Sequence, residues 1–279
     1  MLREIHKNSV QVTDIKLEII ESKALQASGR PPLLFIHGAY AAAWCWQVHY
    51  LAYFAQRGYH GFAVSLRGHG LSEGRSGLAA TSVHEYAEDV AQAIRLIEMQ
   101  TGRRPVLVGH SMGGYLAQMV AREQVLPGLA LLATVPPEGL MGSALHLFWQ
   151  HPQLLWELNL LQNSGVPPRL DKLRELLFSA DIVEAELQAY AARFQHESDR
   201  ALIDMNLPQF DQRPPRGMPP ALVLGSHDDK LMPCHLIYSA ARALGVRAHM
   251  VQGLGHMLML DAGWQLAAAA LAAWLEELP

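Results

Sequence analysis

The chain has 279 residues, half of them apolar and only 17% charged, with a formal net charge of −4. That is enough to bury one large core with a smaller appendage, and its balance of apolar and charged residues excludes a disordered protein. The longest basic run is Arg103-Arg104, whereas a nucleic-acid surface needs a basic stripe, so nucleic acid is not an expected partner.

The first ten residues, MLREIHKNSV, lack the apolar stretch of a signal peptide, and Cys45 and Cys234 lie far apart. They read as free thiols in a reducing compartment. No uncharged apolar stretch reaches the roughly 18 residues of a membrane span. The expectation is a cytoplasmic protein without a transmembrane segment.

In chain order, residues 9–21 alternate apolar and polar side chains and predict a half-buried strand in an antiparallel edge hairpin. Leu33-Leu34-Phe35-Ile36 is a continuous apolar run, the pattern of a strand covered on both faces. An aromatic-rich helix from Trp44 to Gln56 follows, then a strand from Tyr59 to Ser65. Ser82 and Glu85 form a capping box that opens a helix, which Gly102 closes. Val106 to Val108 predicts a strand, Met112 to Gln124 a helix, and Leu129 to Val135 a strand. Beyond a long interruption, Ala221 to Leu224, Pro233 to Leu244, Val246 to Val251 and Gly263 to Leu278 predict strand, helix, strand and helix. Repeated βα units imply a mostly parallel sheet with helices on both faces.

The interruption predicts helices at Leu145 to Leu161, Leu170 to Phe178 and Ile182 to Gln195, with prolines at both margins. The expected organisation is a core over 1–136, a helical cap over 137–216 and the rest of the core over 217–279. The cap then falls over the C-terminal edge of the sheet, where parallel sheets place their sites.

Gly109-His110-Ser111-Met112-Gly113 matches G-x-S-x-G. The string alone is weak, but a strand runs into it and a helix runs out, which is the context a nucleophile elbow requires. Ser111 is the expected nucleophile. Its hydroxyl needs a base, and among 14 histidines His256 follows the last expected strand, on a loop at the sheet's C-terminal edge. His249, His60 and His84 read as structural, and His146, His151 and His196 as surface positions of the cap. A carboxylate must orient the base. Asp228 is the first choice, on the turn after the strand Ala221 to Leu224. Asp229 is the adjacent alternative and Glu138 a third. The N–H groups of Met112 and of Ala39, on the loop His37-Gly38-Ala39-Tyr40, are the expected oxyanion donors.

Taken together these residues resemble the α/β-hydrolase superfamily, which implies a helical cap inserted between the sixth and seventh strands. Arg67-Gly68-His69-Gly70-Leu71-Ser72 is similar to that family's R-G-x-G-x-S loop, which implies a structural role. Gly225-x-x-Asp228 and Gly255-His256 resemble its acid and histidine signatures, and so favour Asp228. His37-Gly38-Ala39 with Trp44-Cys45-Trp46 resembles the esterase and hydroxynitrile-lyase branch. Gly38 and Met257 stand where the lyases carry threonine and lysine, which implies the esterase side.

The resulting expectation is a serine hydrolase acting on a small-molecule carboxylic ester through an acyl-enzyme, with no metal or organic cofactor. Thioesters, amides, C–C bonds, a lyase activity or a non-catalytic receptor are the alternatives. Leu147, Phe148, Trp149, Leu154, Leu155, Trp156 and Leu158 either line an apolar pocket or pack on the core. The sequence leaves the oligomeric state open, a homodimer included.

Overall fold

The computed structural model describes residues 14–26, 29–143, 151, 153, 162, 169–209 and 217–278. Strands β1 (Ile19–Ser22), β2 (Leu33–Ile36), β3 (Gly61–Val64), β4 (Val106–His110), β5 (Leu129–Leu132), β6 (Ala221–Ser226) and β7 (Ala248–Val251) form one sheet in the order β1-β3-β2-β4-β5-β6-β7. Only β1 is antiparallel to its neighbour; every other pairing is parallel. The fold is the expected α/β architecture.

The apolar runs become strands because both of their faces are covered. In β2, Leu33 and Phe35 join one core cluster while Leu34 and Ile36 join the other, as the two-residue period of a strand dictates. The first face is covered by α1 (Trp44–Gln47), α2 (Tyr50–Gln56) and α9 (Trp264–Glu276), with the Phe35 ring in contact with those of Trp46, Tyr50 and Phe54. Helices α3 (Val83–Thr101), α4 (Met112–Glu123) and α8 (Cys234–Ala243) cover the second. Each of these large side chains, fully buried, stabilises the fold by about 1.5–3 kcal/mol. Helix α3 begins and ends as expected: Ser82 and Glu85 satisfy each other's backbone N–H groups, and Gly102 takes the left-handed conformation at φ 72°.

Two local expectations change. The single helix expected over Trp44 to Gln56 is broken at Val48-His49, where His49 leaves helical geometry (φ −131°) and its ring stacks on Trp264 at 4.5 Å. Strand β6 runs to Ser226, two residues beyond its expected end, because its pairing with β7 continues to Ser226–Val251.

Between β5 and β6 lie α5 (Leu170–Leu177), α6 (Glu184–Ala191) and α7 (Asp199–Asp204). This is the expected interruption, although it follows the fifth described strand rather than the sixth. Ile19–Ser22 is the one strand described ahead of Leu33, and residues 1–13 lie outside the described chain. Most of the helix expected over Leu145 to Leu161, with its apolar and aromatic positions, also lies outside the described residues. Among the described residues no helix is long and apolar enough to cross a membrane.

The chain passes from β2 outward to β3 and then returns past β2 to β4. That reversal is a topological switch point, and open α/β sheets place their sites at the C-terminal ends of the strands beside such a point. The loops after β2 and β4 carry Ala39 and Ser111.

Candidate active site

Ser111 sits between β4 and α4 at φ 51° and ψ −118°, a region that a non-glycine residue seldom occupies. The turn is held at its backbone: Ser111 N–H donates to the Leu132 carbonyl at 3.0 Å, and its own carbonyl accepts from Gly114 and Tyr115. Both flanking glycines are required by space. A Cβ on Gly109 would lie 2.4 Å from the Gly113 carbonyl oxygen, and one on Gly113 would lie 2.3 Å from that of Ile36. Met112 opens α4, so its N–H is one of the donors that a helix start leaves without an intrahelical acceptor. The loop after β2 presses against this turn. A Cβ on Gly38 would lie 3.0 Å from Ser111 Cβ and 2.8 Å from His110 Nδ1, which places the backbone of Gly38 and Ala39 beside the serine.

His256 lies on the loop after β7 and is 3% exposed, with Nδ1 at 2.9 Å from an Asp229 carboxylate oxygen, Oδ2. The carboxylate that meets His256 is therefore that of Asp229 and not that of Asp228, the first choice made from the sequence. The reason is local. Asp229 Oδ1 accepts the N–H groups of Leu231 and Met232, each at 2.8 Å, and this turns its carboxylate inward. Asp228, its neighbour, points the other way and accepts the Gly253 N–H at 2.6 Å. Strand β6 extends to Ser226, and the inward position falls four residues after Gly225 rather than three. Glu138 is half-buried beyond β5 and takes no part in the His256 contact.

From Gly253 to Met257 every residue of the His256 loop is tied down. Gly253 N–H goes to Asp228, Leu254 O accepts from Ser226 Oγ, and Gly255 N–H goes to Asp261. His256 O accepts from His110 Nε2 at 3.0 Å, and Met257 N–H donates to Leu177 O at the end of α5. Asp261 is fully buried and also accepts from Ser179 N, Ser179 Oγ and Ala262 N, so it joins this loop to the insertion. His110 must be the Nε2–H tautomer to donate to the His256 carbonyl. Burial first, and the nearby His256 second, hold it neutral far below the ordinary imidazole range.

Sequence reasoning missed His110, Asp261 and Glu197. The first stands at a variable position of the motif, and the other two are single acidic residues. Only the approach of distant segments gives them partners. The remaining histidines divide as their surroundings dictate: His60 pairs with Glu21 at 2.7 Å, His84, His196 and His249 are exposed, and His146 lies outside the described residues. Buried His37 accepts from Leu66 N–H at Nε2 and donates through Nδ1 to Gly38 O. Burial, followed by the charge of His69, lowers its pKa to about 3. Among the described residues no group of three or more His, Cys, Asp or Glu side chains is placed to hold a metal ion.

A model of the alpha/beta hydrolase family matches residues 33–270. The chain belongs to the alpha/beta hydrolase family. The match begins at β2 and ends within α9, so it takes in both segments of the core and the insertion. This alpha/beta hydrolase is 30% identical over 114 residues to a protein of Saccharomyces cerevisiae named "Probable alcohol acetyltransferase". That stretch is 38% of the present chain and 32% of the yeast protein, so the similarity covers about a third of that relative's length. Among solved structures, a thermophilic esterase from Thermogutta terrifontis superposes with a TM-score of 0.71 at 18% identity over 96% of each chain. The protein named "Putative non-heme bromoperoxidase BpoC" from Mycobacterium tuberculosis H37Rv gives 0.72 at 20% identity, covering 98% of this chain and 99% of its own. At such identities the likeness to this alpha/beta hydrolase is one of fold.

Proposed function

We propose that this alpha/beta hydrolase is a serine hydrolase that cleaves a carboxylic ester through an acyl-enzyme. The observation that carries the reading is the strained Ser111 at the elbow, on the same sheet edge as the buried His256–Asp229 pair. Asp229 holds the proton on His256 Nδ1, which leaves Nε2 to take the Ser111 proton as Oγ attacks the ester carbonyl. The negative charge that forms on the carbonyl oxygen is met by the N–H groups of Met112 and Ala39. The bond to the alkoxy group breaks as His256 returns its proton to the leaving alcohol. Water then attacks the acyl-serine by the same relay and releases the acid.

The test combines p-nitrophenyl esters of increasing chain length with a fluorophosphonate probe. Ester turnover and labelling at Ser111 are expected, and Ser111→Ala should lower kcat by about 10⁴-fold or more and abolish labelling. Equal turnover by that variant would refute the nucleophile assignment.

The partial identity to the yeast protein favours a second reading, in which an alcohol replaces water in the deacylation step. Turnover of p-nitrophenyl acetate in the presence of a short alcohol separates the two. An acyl-transferring enzyme yields the alkyl acetate, and a strict hydrolase yields only acetate.

A further inference from the structure

The backbone of Tyr40, next to Ala39, is bound on both sides by the insertion. Its carbonyl accepts the Gln195 N–H at 2.9 Å, and its N–H donates to Glu197 Oε2 at 3.3 Å. Tyr40 stands at φ 65°, a left-handed conformation that a tyrosine leaves unless its surroundings over-determine it. The surroundings here are Gln195 and Glu197.

Glu197 is itself held without any contact to water. Its side chain is fully buried, it meets His69 Nε2 at 3.2 Å, also fully buried, and it accepts from Tyr86 Oη at 2.6 Å and from Ser198 N at 2.7 Å. The Gln195 side chain accepts from Gly70 N–H and donates to Gly68 O, each at 3.1 Å, and so ties the same segment to the loop after β3. A buried carboxylate is costly and persists only where charge and hydrogen bonds offset its lost hydration. The acyl-transfer mechanism uses neither Glu197 nor His69 directly.

We propose that Glu197, buttressed by His69 and Tyr86 and flanked by Gln195, is a positioning residue that holds the Ala39 N–H in place for the oxyanion. This rests on the serine-hydrolase reading above. The insertion thereby supplies part of the oxyanion site's rigidity, although the donor itself belongs to the core. Loss of the Glu197 charge frees Tyr40 to relax towards negative φ and carries the Ala39 peptide with it. Displacements of about 1 Å at such a donor cost on the order of 10²-fold in rate.

The experiment compares wild type with Glu197→Gln and with Gln195→Ala, which leaves Glu197 in place and removes only the tie to Gly68 and Gly70. Two readouts are taken: kcat and KM for p-nitrophenyl acetate, and the affinity for an alkylboronic acid, whose serine adduct mimics the tetrahedral state. Glu197→Gln should lower kcat and boronate affinity together by about 10- to 100-fold with little change in KM. Gln195→Ala should move both in the same direction by a smaller factor. A purely structural Glu197 lowers the melting temperature and leaves kcat and boronate affinity of the folded protein unchanged, and that result overturns the proposal. Should Glu197→Gln fail to fold, unchanged boronate affinity in Gln195→Ala overturns it instead. Wild type that neither binds the boronate nor reacts with a fluorophosphonate sinks the hydrolase reading and this proposal together, before any variant is compared.

Discussion

His256 Nδ1 and Asp229 Oδ2 lie 2.9 Å apart, while Asp229 Oδ1 takes the N–H groups of Leu231 and Met232. The carboxylate is thus anchored by its own turn before it meets the imidazole, and the ring is confined to the tautomer with the proton on Nδ1. Asparagine at 229 can present its amide to Nδ1 and favour the wrong tautomer. Asp229→Asn should therefore lower kcat for an ester by about 10⁴-fold. Asp228→Asn keeps an oxygen for the Gly253 N–H and should change kcat little. Steady-state kinetics on the two variants check the pair; a larger loss in Asp228→Asn would reverse the assignment.

Asp261 accepts four hydrogen bonds in the interior, two of them from Ser179 and one from Gly255 N–H next to His256. Asp261→Asn turns one acceptor into a donor that faces at least one backbone N–H whichever way the amide is turned. A stability loss of about 3 kcal/mol is expected in urea unfolding. Below the transition, kcat should also fall, by about tenfold, because the His256 loop loses its link to the insertion.

The Arg67 guanidinium forms hydrogen bonds to both oxygens of Asp89, whose side chain is fully buried, and meets the more exposed Glu85 and Glu88. This fastens the loop after β3 to α3 at a distance from Ser111. Asp89→Ala should cost about 3 kcal/mol, since it leaves a partly buried cation short of its best partner. The specific activity of the folded fraction should stay close to wild type, which thermal unfolding and kinetics together can establish.

The pH dependence of stability should report the His69–Glu197 pair. Burial opposes the His69 imidazolium, but the charge and hydrogen bond of Glu197 outweigh it and raise the pKa above the ordinary 6.5. Burial likewise opposes the Glu197 carboxylate, and His69, Tyr86 and the Ser198 N–H outweigh that and lower its pKa below 4.5. The His69 contribution is complete below 6.5 and is lost as pH rises through its raised folded value. The Glu197 contribution is complete above 4.5 and is lost as pH falls through its lowered value. The stability gap between wild type and Glu197→Gln should be widest between those two values. His37 and His110 are held neutral chiefly by burial, which Glu197→Gln leaves in place. A gap in urea midpoints that widens steadily towards alkaline pH would show that the two groups are not an ion pair.

Much of the architecture was legible along the chain because its determinants are near neighbours. Four consecutive apolar residues at Leu33–Ile36 can only satisfy a strand with both faces covered. Ser82 and Glu85 are three residues apart and cap each other. Gly109 and Gly113 flank Ser111 because the turn has no room for a Cβ. The choice between Asp228 and Asp229 was not legible. Adjacent acids on one turn carry the same local signal, and which one faces inward depends on how far β6 pairs with β7 and on which amides the turn leaves free. The break at Val48-His49 likewise depends on Trp264, more than two hundred positions away.

By itself, then, the sequence determined the layered α/β sheet, the elbow at Ser111 and the placing of His256 on a loop at its rim, since each rests on periodicity or on spacing within a few residues. Only the tertiary structure decided which carboxylate meets His256, what binds the loop around it, and that Glu197 of the insertion grips Tyr40. Those contacts join residues far apart in the chain, and a buried polar group takes its direction from whichever partners the packed core brings within hydrogen-bonding reach.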